Sequence, residues 1–174
     1  MTSNYFEILR GGINTTFQDK GRENLYHIGI PFSGVMDNRN FLLANKLVGN
    51  HLTAPVIEFA YQGPHLRYTG DQLNFVITGD VIFKIKKKDY EIDGDCYHSY
   101  HLENGDEINI ISTNKSVYGY FAIGSEIDLN FQWNSCSITV SYTHLRAHET
   151  PEHRVWGGGG VKKKGGGGGG GGGG

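Results

Sequence analysis

Four turn signals set the rhythm of this chain: Thr69-Gly70-Asp71, Gly79-Asp80, Asp93-Gly94-Asp95 and Asn104-Gly105-Asp106. Glycine beside a short polar side chain supplies the backbone angles that reverse a strand without a Cβ penalty. The segments around and between these turns are short and rich in β-branched and aromatic residues. They are Leu66 to Tyr68, Leu73 to Thr78, Val81 to Lys86, Cys96 to Leu102, Glu107 to Ser112 and Val117 to Ile123. Each reads as a strand. Upstream, Tyr5 to Leu9 alternates, Phe6 and Ile8 against Glu7, until Arg10-Gly11-Gly12 breaks it. Tyr26 to Ile30 is a further short strand, stopped by Pro31, which has no N–H to offer a ladder. Ala54 to Tyr61 places Val56 and Glu58 on one face and Ile57, Phe59 and Tyr61 on the other. About nine strands at this spacing argue against βαβ units and predict a mainly β fold closed into an antiparallel or mixed barrel.

One clear helix interrupts the strands, from about Asp37 to Val48. Asp37 is a natural N-cap, its carboxylate accepting from the free amides of the first turn. Phe41, Ala44 and Val48 recur on one face with Leu43 and Leu47 beside them, the spacing of a buried stripe. Gly49 ends it in a position that favours positive φ.

Composition needs a correction before it is used. Val140 to Thr150 reads VSYTHLRAHET and resembles the in-frame translation of a transposase-type sequencing adapter. Pro151 to Trp156 resembles adapter read-through with errors, and Lys162 to Lys164 with Gly165 to Gly174 resembles homopolymer read-out. We therefore expect one domain over 1–138 and an artefactual, disordered tail over 139–174. Without that tail the chain has 11 basic and 16 acidic side chains and 13 glycines, a net charge near −5. That balance argues against a nucleic-acid partner. No apolar run approaches membrane-spanning length, and Met1-Thr2-Ser3-Asn4 has no signal-peptide character. The cysteines, Cys96 and Cys136, stand at no motif spacing and suit a reducing cytoplasm.

Between Thr15 and Asn50 lie three motifs: Gln18-Asp19-x-Gly21-Arg22, Gly29-Ile30-Pro31-x-Ser33-Gly34-x-Met36-Asp37 and Leu43-Ala44-Asn45-x-Leu47-Val48-Gly49-Asn50. Glu58 and Gly63-Pro64 follow in register. Together they resemble the carboxyltransferase-domain family typified by allophanate hydrolase subunit 2. That family includes the C-type subunit of ATP-dependent 5-oxoprolinase and KipA-type antagonists of a sporulation-kinase inhibitor. The resemblance runs from about Ile8 to Ser137. It implies a cyclophilin-like β-barrel, the N-terminal half of a two-domain protein, whose junction with the second half falls near Asn134 to Ser137. Val35 stands where the family often has proline, and Lys86-Lys87-Lys88 where it has an Asn/Gly turn.

Candidate chemistry collects in the same motifs. Asp19 and Arg22 share a turn; Arg22 either grips a substrate carboxylate bidentately or pins the turn by an ion pair with Asp19. Asp37 is a polar group at a helix N-terminus, with capping the plainer reading. Glu58 alternates with apolar neighbours, so it is either a buried structural partner or a site carboxyl with a raised pKa. Asn45 and Asn50 flank the helix end, and capping is the plainer role for Asn50. Cys96, His98 and His101 do not make a metal site: Cys96 and His98 share a strand face, His101 faces away, and no fourth ligand is spaced for zinc. Lys84, Lys86, Lys87 and Lys88 read as a solvated strand end and turn. No P-loop and no GxGxxG is present.

The resemblance implies three functions. The first is a subunit of an ATP-dependent 5-oxoprolinase, working with A-type and B-type (KipI-like) partner subunits. There Arg22 and Asn45 would bind substrate, and Asp19, Asp37 or Glu58 would serve as catalytic acids and bases. ATP would convert the lactam oxygen into a leaving group. The second is the carboxyltransferase of a biotin-dependent urea-type carboxylase, for which no biotin-carrier motif is present. The third is a KipA-like regulatory binder without turnover. Should the active site lie between two barrels, residues 1–174 alone lack turnover.

Overall fold

The computed structural model describes residues 4–22, 24–29, 32–127, 129, 134–137 and 155–156. Eleven strands, one α-helix and one 3-10 turn are present among them. In order they are β1 (Tyr5–Arg10), β2 (Thr16–Gln18), the 3-10 turn Tyr26–Ile28, α1 (Asn38–Leu47), β3 (Val56–Ala60), β4 (His65–Thr69) and β5 (Leu73–Thr78). Then follow β6 (Val81–Lys86), β7 (Glu91–Gly94), β8 (Ser99–Leu102), β9 (Glu107–Thr113), β10 (Tyr118–Ile123) and β11 (Val155–Trp156). Two antiparallel sheets result, ordered β11-β1-β4-β9-β6-β7 and β2-β3-β10-β5-β8.

The alternation seen in the sequence is what joins them. Phe6, Ile8, Leu66 and Tyr68 from the first sheet meet Ile57, Phe59, Phe75, Ile77 and Phe121 from the second in one buried core. Aromatic rings interlock across it, Phe6 standing edge-on to Phe121 with centroids 5.9 Å apart. The residues of the opposite register on the second sheet, Val56, Val76, Tyr120 and Ala122, form a smaller core against Phe41 and Ala44 of α1. The helix therefore covers the outer face of the five-stranded sheet.

Several expectations are corrected. Tyr26 to Ile28 is a 3-10 turn rather than a strand, and Pro31 lies outside the described residues. Asp37 caps α1 as expected, but Asn45 takes a fully buried position while Leu47 is exposed. The strand expected from Cys96 starts only at Ser99, because Tyr97 adopts φ 62° and turns the chain. The shared face of Cys96 and His98 disappears with it. Tyr61 also has positive φ, 60°, and leaves β3 for solvent. Three strands escaped notice, β2, β7 and β11. Asp93 and Gly94, expected in a turn, belong to β7; its Asp93 and Glu91 stand opposite Lys84 and Lys86 of β6, so the charges are cross-strand partners. Lys87 is not solvated either: it bonds Asp106 and donates to the His101 carbonyl oxygen at 2.8 Å. Of the tail, Val155–Trp156 pairs antiparallel with Glu7 and Phe6 of β1; the rest of 139–174 lies outside the described residues.

Candidate functional site

The second motif folds back onto the first. Arg22 N donates to Phe32 O at 2.7 Å, and Val35 N donates to Asp19 O at 3.1 Å. The approach is so close that a Cβ on Gly21, at φ +87°, would lie 1.7 Å from Ser33 O. Only glycine permits this packing. The two motifs are thus one unit, following directly on β2.

Asp19 is the anchor of that unit. It is 5% exposed. Its Oδ1 accepts from Gly21 N (2.8 Å), Ser135 Oγ (2.7 Å) and Ser137 Oγ (2.7 Å), and its Oδ2 from Cys136 N (2.8 Å). Burial works to raise its pKa, but the bonds from Ser137, Ser135 and the two amides outweigh burial and hold the carboxyl below its ordinary value. Arg22 joins the same seam, Nη2 donating to Ser137 O at 2.6 Å. Ser135–Ser137 is therefore fastened to a turn more than a hundred residues earlier in the chain. Nothing in the motif spacing announced this; two serines and a cysteine have no signature of their own.

The second cluster stands at the head of α1. Glu58 of β3 is 5% exposed, and its Oε2 accepts from Met36 N and from Tyr120 OH, each at 2.7 Å. Tyr120 OH in turn accepts from Asp37 N at 2.7 Å. The Asp37 carboxylate takes Asn40 N at 3.1 Å and Asn40 Nδ2 at 2.7 Å, and Tyr97 OH donates to Asn40 Oδ1 at 2.8 Å. Burial first, and the nearby Asp37 charge, raise the Glu58 pKa against the two hydrogen bonds that lower it. Burial and the neighbouring Glu58 likewise push the Tyr120 hydroxyl up. Tyr120 was missed from sequence, although its place in an alternating strand opposite Glu58 is the signal that finds it.

Asn45 belongs to neither cluster. Its Nδ2 donates to Leu52 O (3.2 Å) and Ala54 O (2.8 Å), and its Oδ1 accepts from Asn50 Nδ2 (3.3 Å). The amide is spent on the loop that returns the chain from α1 to β3. A cavity of about 300 Å³ lies beside that loop, lined by Asn50, His51, Pro55 and Glu126 among others. Among the described residues no group of three or more His, Cys, Asp or Glu is placed to hold a metal ion. No helix among them is long and apolar enough to cross a membrane.

Known proteins resemble the chain over most of its length. Residues 28–149 match the family described as carboxyltransferase domain, subdomain A and B. Urea amidolyase of Lachancea kluyveri is 33% identical over 125 residues, which are 71% of this chain and 7% of that protein. The C-type subunit of 5-oxoprolinase from Haemophilus influenzae is 30% identical over 141 residues, 81% of this chain and 43% of that protein. The crystal structure of Kluyveromyces lactis urea carboxylase superposes with a TM-score of 0.71 at 29% identity, covering 79% of this chain and 12% of that one. The chain spans less than half the length of each of these relatives.

Proposed function

This chain belongs to the carboxyltransferase-domain family, subdomain A and B, and from that premise we propose that it is the first barrel of a subunit of an ATP-dependent 5-oxoprolinase. The observation that carries the reading is the match to the C-type subunit of 5-oxoprolinase, which takes in 81% of this chain and 43% of the relative. The two sheets around one core would be the cyclophilin-like barrel, over residues 1–138, with a related second domain and A-type and B-type partner subunits completing the enzyme.

The site chemistry fits opening of a cyclic amide. ATP, when bound to the assembled enzyme, supplies a phosphoryl group that makes the lactam oxygen a leaving group. This chain's own part is proton handling and positioning. Glu58 holds its proton more tightly than an ordinary carboxyl, as a group that donates to a leaving nitrogen or a carbonyl oxygen must. Tyr120 and the Met36 amide fix which of its oxygens is committed. Asp37 caps α1 beside it and keeps the local field negative, which favours the neutral acid. In this reading Asp19 and Arg22 hold the site's frame, with Arg22 also the candidate for a substrate carboxylate, and Asn45 positions the loop rather than the substrate.

The second reading, a carboxyltransferase acting on carboxybiotin, is favoured by the 33% identity to urea amidolyase. The deciding experiment combines the protein translated from the uninterrupted genomic locus with its A-type and B-type partners. ATP hydrolysis that depends on 5-oxoproline and releases glutamate supports the first reading. Carboxybiotin turnover without any response to 5-oxoproline overturns it.

A further inference from the structure

We propose that Tyr97 is a positioning residue for Glu58, acting through a chain of hydrogen bonds that runs from its exposed hydroxyl through Asn40, Asp37 and Tyr120 to the buried carboxyl. The role of Glu58 as an acid rests on the function proposed above; the coupling between the two residues does not.

The chain starts at a strained residue. Tyr97 has φ 62°, in the left-handed region that a side chain disfavours, and it is 45% exposed. Such a conformation is costly and persists only where its surroundings hold it. Tyr97 N donates to Ile77 O at 2.8 Å, which fixes the backbone, and Tyr97 OH donates to Asn40 Oδ1 at 2.8 Å. One hydrogen bond made at the surface contributes little to stability. The strained turn therefore finds its purpose in what Asn40 holds.

Asn40 lies in the first turn of α1 and is held at four points. Its N donates to Asp37 Oδ1 at 3.1 Å and its Nδ2 to Asp37 Oδ2 at 2.7 Å. Its carbonyl oxygen accepts from Thr78 Oγ1 at 2.8 Å, and its Oδ1 accepts from Tyr97. Both oxygens of the Asp37 carboxylate are thus engaged by one residue. A donor at Oδ1 polarises the Asn40 amide and strengthens the bond that its Nδ2 makes. Asp37 N then donates to Tyr120 OH, and Tyr120 OH to Glu58 Oε2, each at 2.7 Å. Neither the Asn40 amide nor the Asp37 backbone N–H relays a proton, so the chain sets position and field rather than conducting.

The groups that face Glu58 are Tyr120 from β10, Asp37 and the Met36 amide from the head of α1, and the uncharged Thr16 opposite it on β2. Burial is the first cause of the raised Glu58 pKa, and Asp37 supplies the charge that adds to it. Where the Asp37 carboxylate is held therefore governs how tightly Glu58 keeps its proton. Without the Tyr97 hydroxyl, Asn40 loses one anchor and the half-buried Asp37 carboxylate turns more freely to solvent. Glu58 then gives up its proton at lower pH.

The test follows the Glu58 carboxyl by carbon NMR titration of the full chain labelled at glutamate, its signal assigned from Glu58→Gln. Tyr97→Phe keeps the ring and the backbone and removes only the hydroxyl. We expect it to lower the Glu58 midpoint by about half a pH unit. Asn40→Ala keeps the backbone N–H that Asp37 caps and the carbonyl that accepts from Thr78, yet cuts the chain, so it should lower the midpoint too. Adding Tyr97→Phe to Asn40→Ala should then change nothing further. An unmoved midpoint in Tyr97→Phe overturns the proposal, even with a lowered melting temperature, since that is what a merely structural bond would give. A Tyr97→Phe shift that survives in full on the Asn40→Ala background also overturns it. In the assembled enzyme, a pH profile of 5-oxoproline-dependent ATP hydrolysis displaced along with the midpoint supports Glu58 as the acid. A displaced midpoint with an unmoved profile overturns that role and supports the coupling alone.

Discussion

Replacing Asp19 by asparagine should loosen the Ser135–Ser137 segment before it unfolds the two sheets. The size of the effect follows from the bonds. Asparagine can keep an oxygen where Oδ1 receives Gly21 N, Ser135 Oγ and Ser137 Oγ, but its NH2 then faces the Cys136 amide that Oδ2 now accepts. Three bonds lose their charge assistance and one buried amide loses its acceptor. Breaking a buried charged network costs about 3–5 kcal/mol when one partner is removed; with three acceptor contacts retained, we expect about 3 kcal/mol. The assay reads the segment directly. Cys136 is 8% exposed, and burial together with Asp19 pushes its thiol up, so it should react with a disulfide reagent only through local opening. A loosening of about 3 kcal/mol multiplies the opened fraction by roughly a hundredfold, and Cys136 labelling should accelerate by that factor while half-buried Cys96 changes little. The pH dependence has a defined sign. Asp19 titrates below its ordinary value when folded, so its contribution is present above the unfolded carboxyl's pKa and is lost as pH falls through the lowered folded value. Equal labelling rates at Cys136 in parent and variant, measured at neutral pH, would refute the account of Asp19 as a clamp.

Other expectations follow from the same structure. Gly21→Ala, with a Cβ overlapping Ser33 O at positive φ, should lower stability by more than about 2 kcal/mol in a denaturant melt, far beyond an ordinary Gly→Ala change. Asn45→Ala should cost about 2–3 kcal/mol in a denaturant melt by freeing the Leu52 and Ala54 carbonyls. Glu107 gathers His65, Arg67 and Lys86 on the first sheet, and their bonds and charges overcome the burial that would raise its pKa, leaving it lowered. Glu107→Gln should cost about 1 kcal/mol above the unfolded carboxyl pKa, a difference that vanishes as pH falls through the lowered folded value and shrinks in salt, because Arg67 is well exposed.

Local chemistry explains which elements were legible. Val81 to Lys86 and Leu73 to Thr78 were found to the residue because turns bound them and their side chains alternate. α1 was found because Asp37 and Gly49 are punctuation that the backbone itself reads. β2 was missed because three residues carry too little periodicity, and β7 because Glu91 and Asp93 find their meaning only opposite Lys86 and Lys84. The site divides in the same way. Asp19, Arg22, Asp37 and Glu58 stood out as charges among small and apolar residues, and all four lie in or beside the two buried clusters. Tyr120 and the Ser135–Ser137 segment did not, because their roles depend on partners 62 to 118 residues away. Asn45 looked like a ligand-binding amide; its carbonyl partners lie in a loop whose path no spacing rule specifies.

The β6–β7 turn and the β8–β9 turn are tied by Lys87, which reaches both Asp106 and the His101 carbonyl oxygen. β7 and β8 are the outermost strands of their respective sheets at that end. An open strand invites another molecule to add itself by backbone pairing. Here the invitation is withdrawn twice. The tie pins the loops at one end of both strands, so neither can swing out to extend a flat ribbon. The exposed Glu91 and Asp93 then put like charges where two copies of β7 would have to meet. A contact between two loops thus bears on how readily this end of the fold could accept a further strand.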